Sequence, residues 1–251
     1  MSLIVAIANQ KGGVGKTTTA INLGAALGAL EKRILLVDCD PQGNATRGVG
    51  RKADVPHLYQ VLTGESHASQ AIRATEFSGL DLLPAGGDLV GVEREFVGLD
   101  GWEKKLRTVL RDVVGRYDVV FLDCPPSLGH LTVNALVAAD RILVPLQCEY
   151  FALEGISALT ATVGRVRSNF NAELVISGIL LTMYDDRTNL SKDVADEVRS
   201  HFAGRVYQTI VPRNVRLAEA PSHGLPILQY DIKSRGAEAY LALANEFLRQ
   251  L

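Results

Sequence analysis

Residues 9–23 read NQKGGVGKTTTAINL, and this stretch decides how the rest of the chain is read. It has the ingredients of a phosphate-binding loop but departs from the usual G-x-x-x-x-G-K-[ST] spacing. Counting back from Gly15-Lys16-Thr17, the first glycine position holds Gln10, and a second lysine, Lys11, follows it. Ahead of the loop, Leu3–Ala8 is an apolar run of strand character; behind it, KTTTAINLGAALGAL begins a helix. A strand, a glycine loop and a helix in that order surround an anion with backbone N–H groups and the positive end of a helix dipole. Gly12, Gly13, Val14 and Gly15 form the loop. Lys16 is placed to reach β- and γ-phosphates, the Thr17 hydroxyl to sit on Mg²⁺, and Thr18 to bond the α-phosphate. A glycine-rich β–α turn without a ligand would leave the lysine and threonine after the last glycine unexplained.

Outward from the loop, short runs rich in Val, Ile and Leu recur at Leu3–Ala8, Ile34–Val37, Leu80–Leu83, Val119–Leu122, Ile142–Val144, Leu174–Leu181 and Val206–Val211. Most are continuous rather than alternating, the pattern of strands buried on both faces of a parallel sheet. Helical stretches fall between them at Thr17–Leu30, Trp102–Val114, Leu131–Ala138, Leu153–Arg167, Leu190–Phe202 and Ala237–Leu248. The alternation predicts an α/β fold, doubly wound and three-layered, with a mostly parallel sheet and helices on both faces. Arg47–Gly101 is the least regular segment and reads as short helices. The whole chain, 1–251, reads as one domain.

Composition narrows the function classes. With 251 residues and 47% hydrophobic content the chain can bury a full core. A net charge of −2 excludes a protein that coats nucleic acid by bulk basicity, so any such contact needs a local patch. Three widely spaced cysteines, Cys39, Cys124 and Cys148, fit a reduced, cytoplasmic protein without disulfides or a zinc site. No run of about 18 apolar residues is present to span a membrane.

Two further stretches join the loop. ILLVDCDPQGN places Asp38 and Asp40 just after a buried run, and VVFLDCPPS places Asp123 likewise, both where an α/β sheet presents its ligand site. Asp123 suits a Walker B position that holds Mg²⁺, with Asp38 supporting the metal from beside the loop. Pro125-Pro126-Ser127 reads as a stiff switch loop. Taken singly, each aspartate could equally cap the turn that follows it.

The departure at Gln10-Lys11 carries a resemblance. KGGVGKTTT resembles the deviant Walker A loop of the ParA/MinD group of P-loop ATPases, which also includes the nitrogenase iron protein. In that group the early lysine contacts phosphates bound by a second copy of the protein, so the resemblance implies that Lys11 joins a face-to-face homodimer with two ATP molecules sandwiched between the subunits. DCDPQGN resembles the group's first switch, which makes Asp40 the carboxylate that orients the attacking water. Elementary electrostatics supports the sandwich: a buried triphosphate is costly unless its charge is paired, and loss of the γ-phosphate loosens the pairing. ATP then favours the dimer and ADP the monomer, which is what a switch requires. Read alone, Lys11 would be a solvated loop lysine. No arginine finger or catalytic glutamine stands out, which implies slow hydrolysis until a partner completes the site.

The resemblance covers essentially the whole chain. DCPPSLGHLTVNAL, PLQCEYFALEG, LLTMYDDRTNLS and VPRNVRLAEAPSHGLPILQYDIKSRGAEAYLALANEF resemble the Soj-type, chromosomal branch of ParA proteins. That branch implies an adenine pocket at Pro212, Arg213 and Asn214, non-specific binding of double-stranded DNA by the ATP dimer on the nucleoid, and a ParB-type centromere-binding partner that stimulates hydrolysis. Arg187 and Arg216 match arginines the family uses for DNA; Lys192, Arg199, Arg213, Lys233 and Arg235 are second-rank candidates. From Arg187 onward there are nine Lys/Arg and seven Asp/Glu, a net of +2, against −4 before it. The competing reading pairs Arg187 with Asp185 or Asp186, and Arg216 with Glu219, as solvated surface ion pairs.

Three alternatives share the ATPase parts. A membrane-associated division-site regulator of the MinD type calls for a basic amphipathic tail, whereas EAYLALANEFLRQL reads as a packed helix, so stable membrane binding is not expected. An iron–sulfur carrier needs cysteines poised at the dimer axis; Cys124 lies beside Asp123, but no second cysteine sits in a matching motif. A nucleotide kinase would show a lid and an acceptor pocket, and neither can be picked out.

Overall fold

The continuous apolar runs become strands covered on both sides. The computed structural model describes residues 2–150 and 152–250. Seven strands, β1 (Leu3–Ile7), β2 (Ile34–Asp38), β3 (Arg73–Ala74), β4 (Leu80–Leu83), β5 (Val119–Asp123), β6 (Arg141–Gln147) and β7 (Val175–Thr182), lie in the order β3-β4-β2-β5-β1-β6-β7. Every neighbouring pair is parallel except β3, which runs antiparallel to β4 at the edge.

Six longer helices cover the sheet: α1 (Lys16–Ala29), α2 (Lys105–Val114), α3 (His130–Ala138), α4 (Ala152–Asn169), α5 (Asn189–His201) and α6 (Arg235–Leu248). Alternate residues of one strand feed opposite cores. Val5 and Ile7 of β1 pack with α1 and α6 on one face, while Ala6 packs with α2, α3, α4 and α5 on the other. This two-sided burial is why the strands lack polar alternation. The doubly wound, three-layer expectation holds. Among the described residues no helix is long and apolar enough to cross a membrane. The expected packed helix is Arg235–Leu248, burying Tyr240, Leu243, Ala244 and Phe247; the last residue of EAYLALANEFLRQL lies outside the described residues.

Two expectations need correction. Val206–Val211 is not a strand: it runs beside β7 with single bridges at Val206 and Pro212. The ladder is interrupted between them, where Glu246 takes the N–H groups of Gln208 and Thr209 at 2.7 and 2.9 Å. Arg47–Gly101 holds the expected short helices, Leu58–Thr63, Ala68–Ala71 and Val92–Glu95, but also the two-residue β3, too short to carry a periodic signal.

Gly178 of β7 shows how closely this edge is packed. A Cβ there would sit 2.2 Å from the ring of the buried Tyr207. Gly178→Ala should therefore lower stability by about 1–3 kcal/mol through overpacking. The measurement is a urea midpoint at constant m-value; an unmoved midpoint would mean that Tyr207 swings aside without cost.

Candidate functional site

β1, β5 and β2 are neighbours, with Ile7 beside Asp123 and Asp123 beside Asp38 in register. The glycine loop and both aspartates therefore leave the sheet together at its carboxyl edge, where doubly wound sheets hold ligands. A cavity of about 830 Å³ opens there, bounded by the loop glycines with Lys16, Thr17 and Thr18, by Asp40, and by Pro212, Arg213 and Asn214.

The loop needs its glycines. Gly13 and Gly15 have φ of +74° and +89°, the left-handed region that other residues avoid. Gly15 occupies the N-cap of α1 and brings no side-chain cap, so the first N–H groups of α1 stay open to an anion. Val14 contributes backbone only: its side chain is buried in the core, and its carbonyl accepts from the Thr182 hydroxyl at 2.8 Å. Asn9 ties the other end, donating to the Pro145 carbonyl at 2.8 Å and accepting from the Lys11 N–H at 3.0 Å. Lys16 is 7% exposed as a residue and lines the cavity, its ammonium donating to the Lys11 carbonyl at 3.0 Å. Burial lowers its pKa, against the pull of Asp123 and Asp40. An ammonium held dry beside open N–H groups is ready for a polyanion.

The two strand-end aspartates differ in what they touch. Asp38 is fully buried, and its Oδ2 accepts both the N–H and the hydroxyl of Thr46, at 2.8 and 2.7 Å. Its Oδ1 accepts from the Asp40 N–H at 3.2 Å. Burial pushes the Asp38 pKa up to about 6 despite those bonds. Asp123 is equally buried, and among the described residues neither oxygen has a partner at hydrogen-bond geometry, although the Thr17 hydroxyl is close enough to act on it. Burial, then the charge of Asp38, drives its pKa well above the ordinary carboxylate range, while the nearby Thr17 hydroxyl and Lys16 ammonium act in the opposite sense. A buried carboxylate with both oxygens unused calls for a cation. Oxygen donors from Asp123 and Thr17 fit a hard divalent ion such as Mg²⁺. Asp40 lines the cavity with its Oδ1 accepting from the Gln42 N–H at 2.9 Å.

Across the cavity, Asn214 caps the short helix Val215–Glu219 by accepting the Arg216 N–H at 2.8 Å. Its amide NH₂ is left to donate, between Pro212 and the apolar Leu217 and Met183, all on the cavity wall. Apolar walls with one directed polar group suit a flat base. Lys11 lies outside this cavity. Its Nζ forms an ion pair with Glu149, just beyond β6, at 2.7 Å, with both side chains partly exposed.

Of the basic candidates, Arg187 and Arg216 make the anticipated ion pairs, with Asp185 at 2.7 Å and Glu219 at 2.9 Å. Their side chains are still 81% and 55% exposed, so solvent screens both pairs and leaves the guanidinium groups accessible. Arg199 and Arg235 have looser partners, Asp196 at 3.9 Å and Asp186 at 3.8 Å. Lys192, Arg213 and Lys233 make no ion pair among the described residues. Arg187, Arg213 and Arg235 line a second cleft of about 740 Å³, next to the first and sharing Pro212 and Arg213 with it. Lys192 and Arg199 sit apart on α5.

Comparison with known proteins gives the family. Residues 2–176 match the family model described as an AAA domain. The chain is 54% identical over 248 residues to the sporulation initiation inhibitor protein Soj of Bacillus subtilis (strain 168), covering 98% of each chain. It is 52% identical to the chromosome partitioning protein ParA of Myxococcus xanthus, over 98% of this chain and 88% of that one. The chain belongs to the Soj/ParA family of chromosome-partitioning ATPases. Among solved structures, cobyrinic acid a,c-diamide synthase from Mycobacterium smegmatis with bound ADP and magnesium is 40% identical, with a TM-score of 0.87 over 99% of this chain and 95% of that one. The cell division ATPase MinD of Pyrococcus furiosus is 27% identical, with a TM-score of 0.84 over the full length of both. Identity to the Soj relative is thus twice that to MinD, and the MinD-type reading is not the better one.

Sequence reasoning missed four residues that build the site. Asn9 stood in the decisive stretch and Thr46 two residues past DCDPQGN, but neither has a motif of its own. Glu149 lay inside PLQCEYFALEG, and Thr182 at the end of β7 inside LLTMYDDRTNLS. What joins them to the loop is tertiary: Asn9 reaches β6, Thr182 reaches Val14, and Glu149 is 138 residues from Lys11.

Proposed function

We propose that this ATPase is a nucleotide-gated DNA-partitioning switch. Mg-ATP sits in the 830 Å³ cavity with its phosphates on the loop, and two such protomers close face to face through Lys11. The dimer holds double-stranded DNA without reading sequence, and a ParB-type partner releases it by stimulating hydrolysis.

The observation that carries this reading is the unpartnered Asp123 carboxylate buried beside Thr17 and Lys16. That arrangement is poor for an empty fold and good for a cation bridging to a polyphosphate. Asp123 and Thr17 would hold Mg²⁺, with Asp38 behind them, and the ion neutralises phosphate charge when bound. The loop N–H groups and Lys16 orient the phosphates, Asn214 and Pro212 hold the base, and Asp40 accepts a hydrogen bond from the attacking water. Lys11 is already at the loop's outer edge, held only by a solvent-screened pair with Glu149.

For DNA, few phosphate contacts per protomer suffice because a dimer doubles them. Arg187, Arg213 and Arg235 on one cleft, with Arg216 nearby, are the first residues to test; Lys192, Arg199 and Lys233 extend the surface. The deciding experiment is DNA retention at two salt concentrations with ATP, with ADP and without nucleotide. Retention with ATP alone is expected, and equal retention in all three states refutes the switch. Arg216→Ala should weaken binding and flatten the plot of log affinity against log salt by roughly 0.9 for each phosphate no longer neutralised, without changing ATP affinity. An unchanged slope removes Arg216 from the DNA surface.

A further inference from the structure

We infer that Thr46 is a positioning residue for hydrolysis, clamping the turn that presents Asp40 to the cavity. The inference rests on Asp40 being the water-orienting group proposed above. Thr46 is 1% exposed, on the short helix Asn44–Gly48 that follows the Asp40 turn. Its N–H and its hydroxyl both donate to Asp38 Oδ2, while its hydroxyl oxygen accepts the Ala85 N–H at 3.0 Å. A backbone N–H can only donate, so the single hydroxyl proton is committed to Asp38. Asp38 in turn accepts the Asp40 N–H. Thr46 therefore joins the end of β2, the Asp40 turn and the segment after β4 into one buried node.

Among the described residues the turn's internal bonds are the Asp40 carbonyl with the Gly43 N–H and the Asp40 carboxylate with the Gln42 N–H, flanked by the Cys39 N–H on the Asp123 carbonyl and the Arg47 N–H on the Gly43 carbonyl. Gln42 and Asn44 are exposed, and Gly43 has a φ of +62°. Asp38 and Asp123, side by side in register, thus divide the work. Asp123 keeps both oxygens open, whereas Asp38 spends its bonds fastening the loop. Without the Thr46 hydroxyl, the Ala85 N–H loses its acceptor and Asp38 its shortest bond. The turn can then shift, and a displacement of about 1 Å in a catalytic group costs on the order of a hundredfold in rate.

The test compares full-length Thr46→Val and Thr46→Ser with wild type and Asp40→Ala. The readouts are single-turnover hydrolysis of Mg-ATP, affinity for a fluorescent ATP analogue, and thermal melting. Thr46→Val should hydrolyse about a hundredfold more slowly with its affinity essentially intact, and Thr46→Ser should restore most of the rate. Wild-type hydrolysis by Thr46→Val overturns the inference, and so does a Thr46→Ser as slow as Thr46→Val, since restoring the hydroxyl would then not restore the rate. Where melting shows Thr46→Val unfolded, Thr46→Ala carries the same comparison. Asp40→Ala at the wild-type rate overturns the Asp40 reading and this inference with it. An inactive Asp40→Ala beside an active Thr46→Val overturns this inference alone.

Discussion

Replacing Lys16 with alanine should lower Mg-ATP affinity by roughly 10²- to 10³-fold while leaving the nucleotide-free protein as stable as before, or slightly more so. The two halves of that expectation have one cause. Lys16 is largely buried, the hydrogen bond its ammonium makes among the described residues is to the Lys11 carbonyl, and burial already lowers its pKa. In the empty protein it is a charge kept from water at some cost, so its removal is tolerated. With a triphosphate bound, the same ammonium pairs a buried polyanion. Breaking a buried ion pair from one side costs about 3–5 kcal/mol, because the other charge stays desolvated. Calorimetric titration reads the affinity, and thermal melting with and without Mg-ATP reads the coupling. At a ligand concentration of about 100 times Kd the wild type should gain about 2.7 kcal/mol, a gain the variant loses. Wild-type affinity in Lys16→Ala would mean that the phosphates lie elsewhere and that the cavity has been misread.

Much of this site is legible in one dimension because chemistry and geometry coincide there. Gly13, Gly15, Lys16 and Thr17 are consecutive or nearly so, and a loop flanked by a strand and a helix has only one way to present them. Asp38 and Asp123 were placed by the apolar runs before them, and the parallel register sets them side by side. What differs between them was not legible. Both follow the same kind of buried run, yet among the described residues Asp38 accepts three hydrogen bonds and Asp123 has only the looser approach of the Thr17 hydroxyl, because Thr46 lies eight residues beyond Asp38. Val206–Val211 failed for a related reason. Its composition favours a strand, but Glu246, 37 residues beyond Thr209, takes the N–H groups a ladder would need. Propensity reports what a segment prefers alone, and a distant carboxylate overrides it.

Lys11→Ala should bind ATP nearly as well as wild type but fail to dimerise. The separation of the two effects follows from which atoms each uses. The nucleotide loop relies on the Lys11 backbone, whose carbonyl receives Lys16 and whose N–H is fixed by Asn9, and alanine keeps both. In the proposed sandwich, dimerisation uses the ammonium, and a symmetric pair loses it twice. Truncating one side of a buried interfacial charge pair costs about 2–5 kcal/mol. Two losses therefore weaken the dimer by about 4 kcal/mol or more, roughly a thousandfold in Kd. Glu149 sets the opposing term, since in the proposed dimer each Lys11 would leave it before crossing to the partner. That pair is partly exposed on both sides and is worth only about 0–1 kcal/mol, so it delays the transfer without preventing it. Glu149→Gln should accordingly tighten the ATP dimer by up to about fivefold per protomer, the equivalent of 1 kcal/mol. Light scattering after size exclusion, with a non-hydrolysable ATP analogue, separates the cases. A Lys11→Ala protein that dimerises like wild type would show that the ammonium never leaves its own subunit, and assembly would then need a different source of attraction.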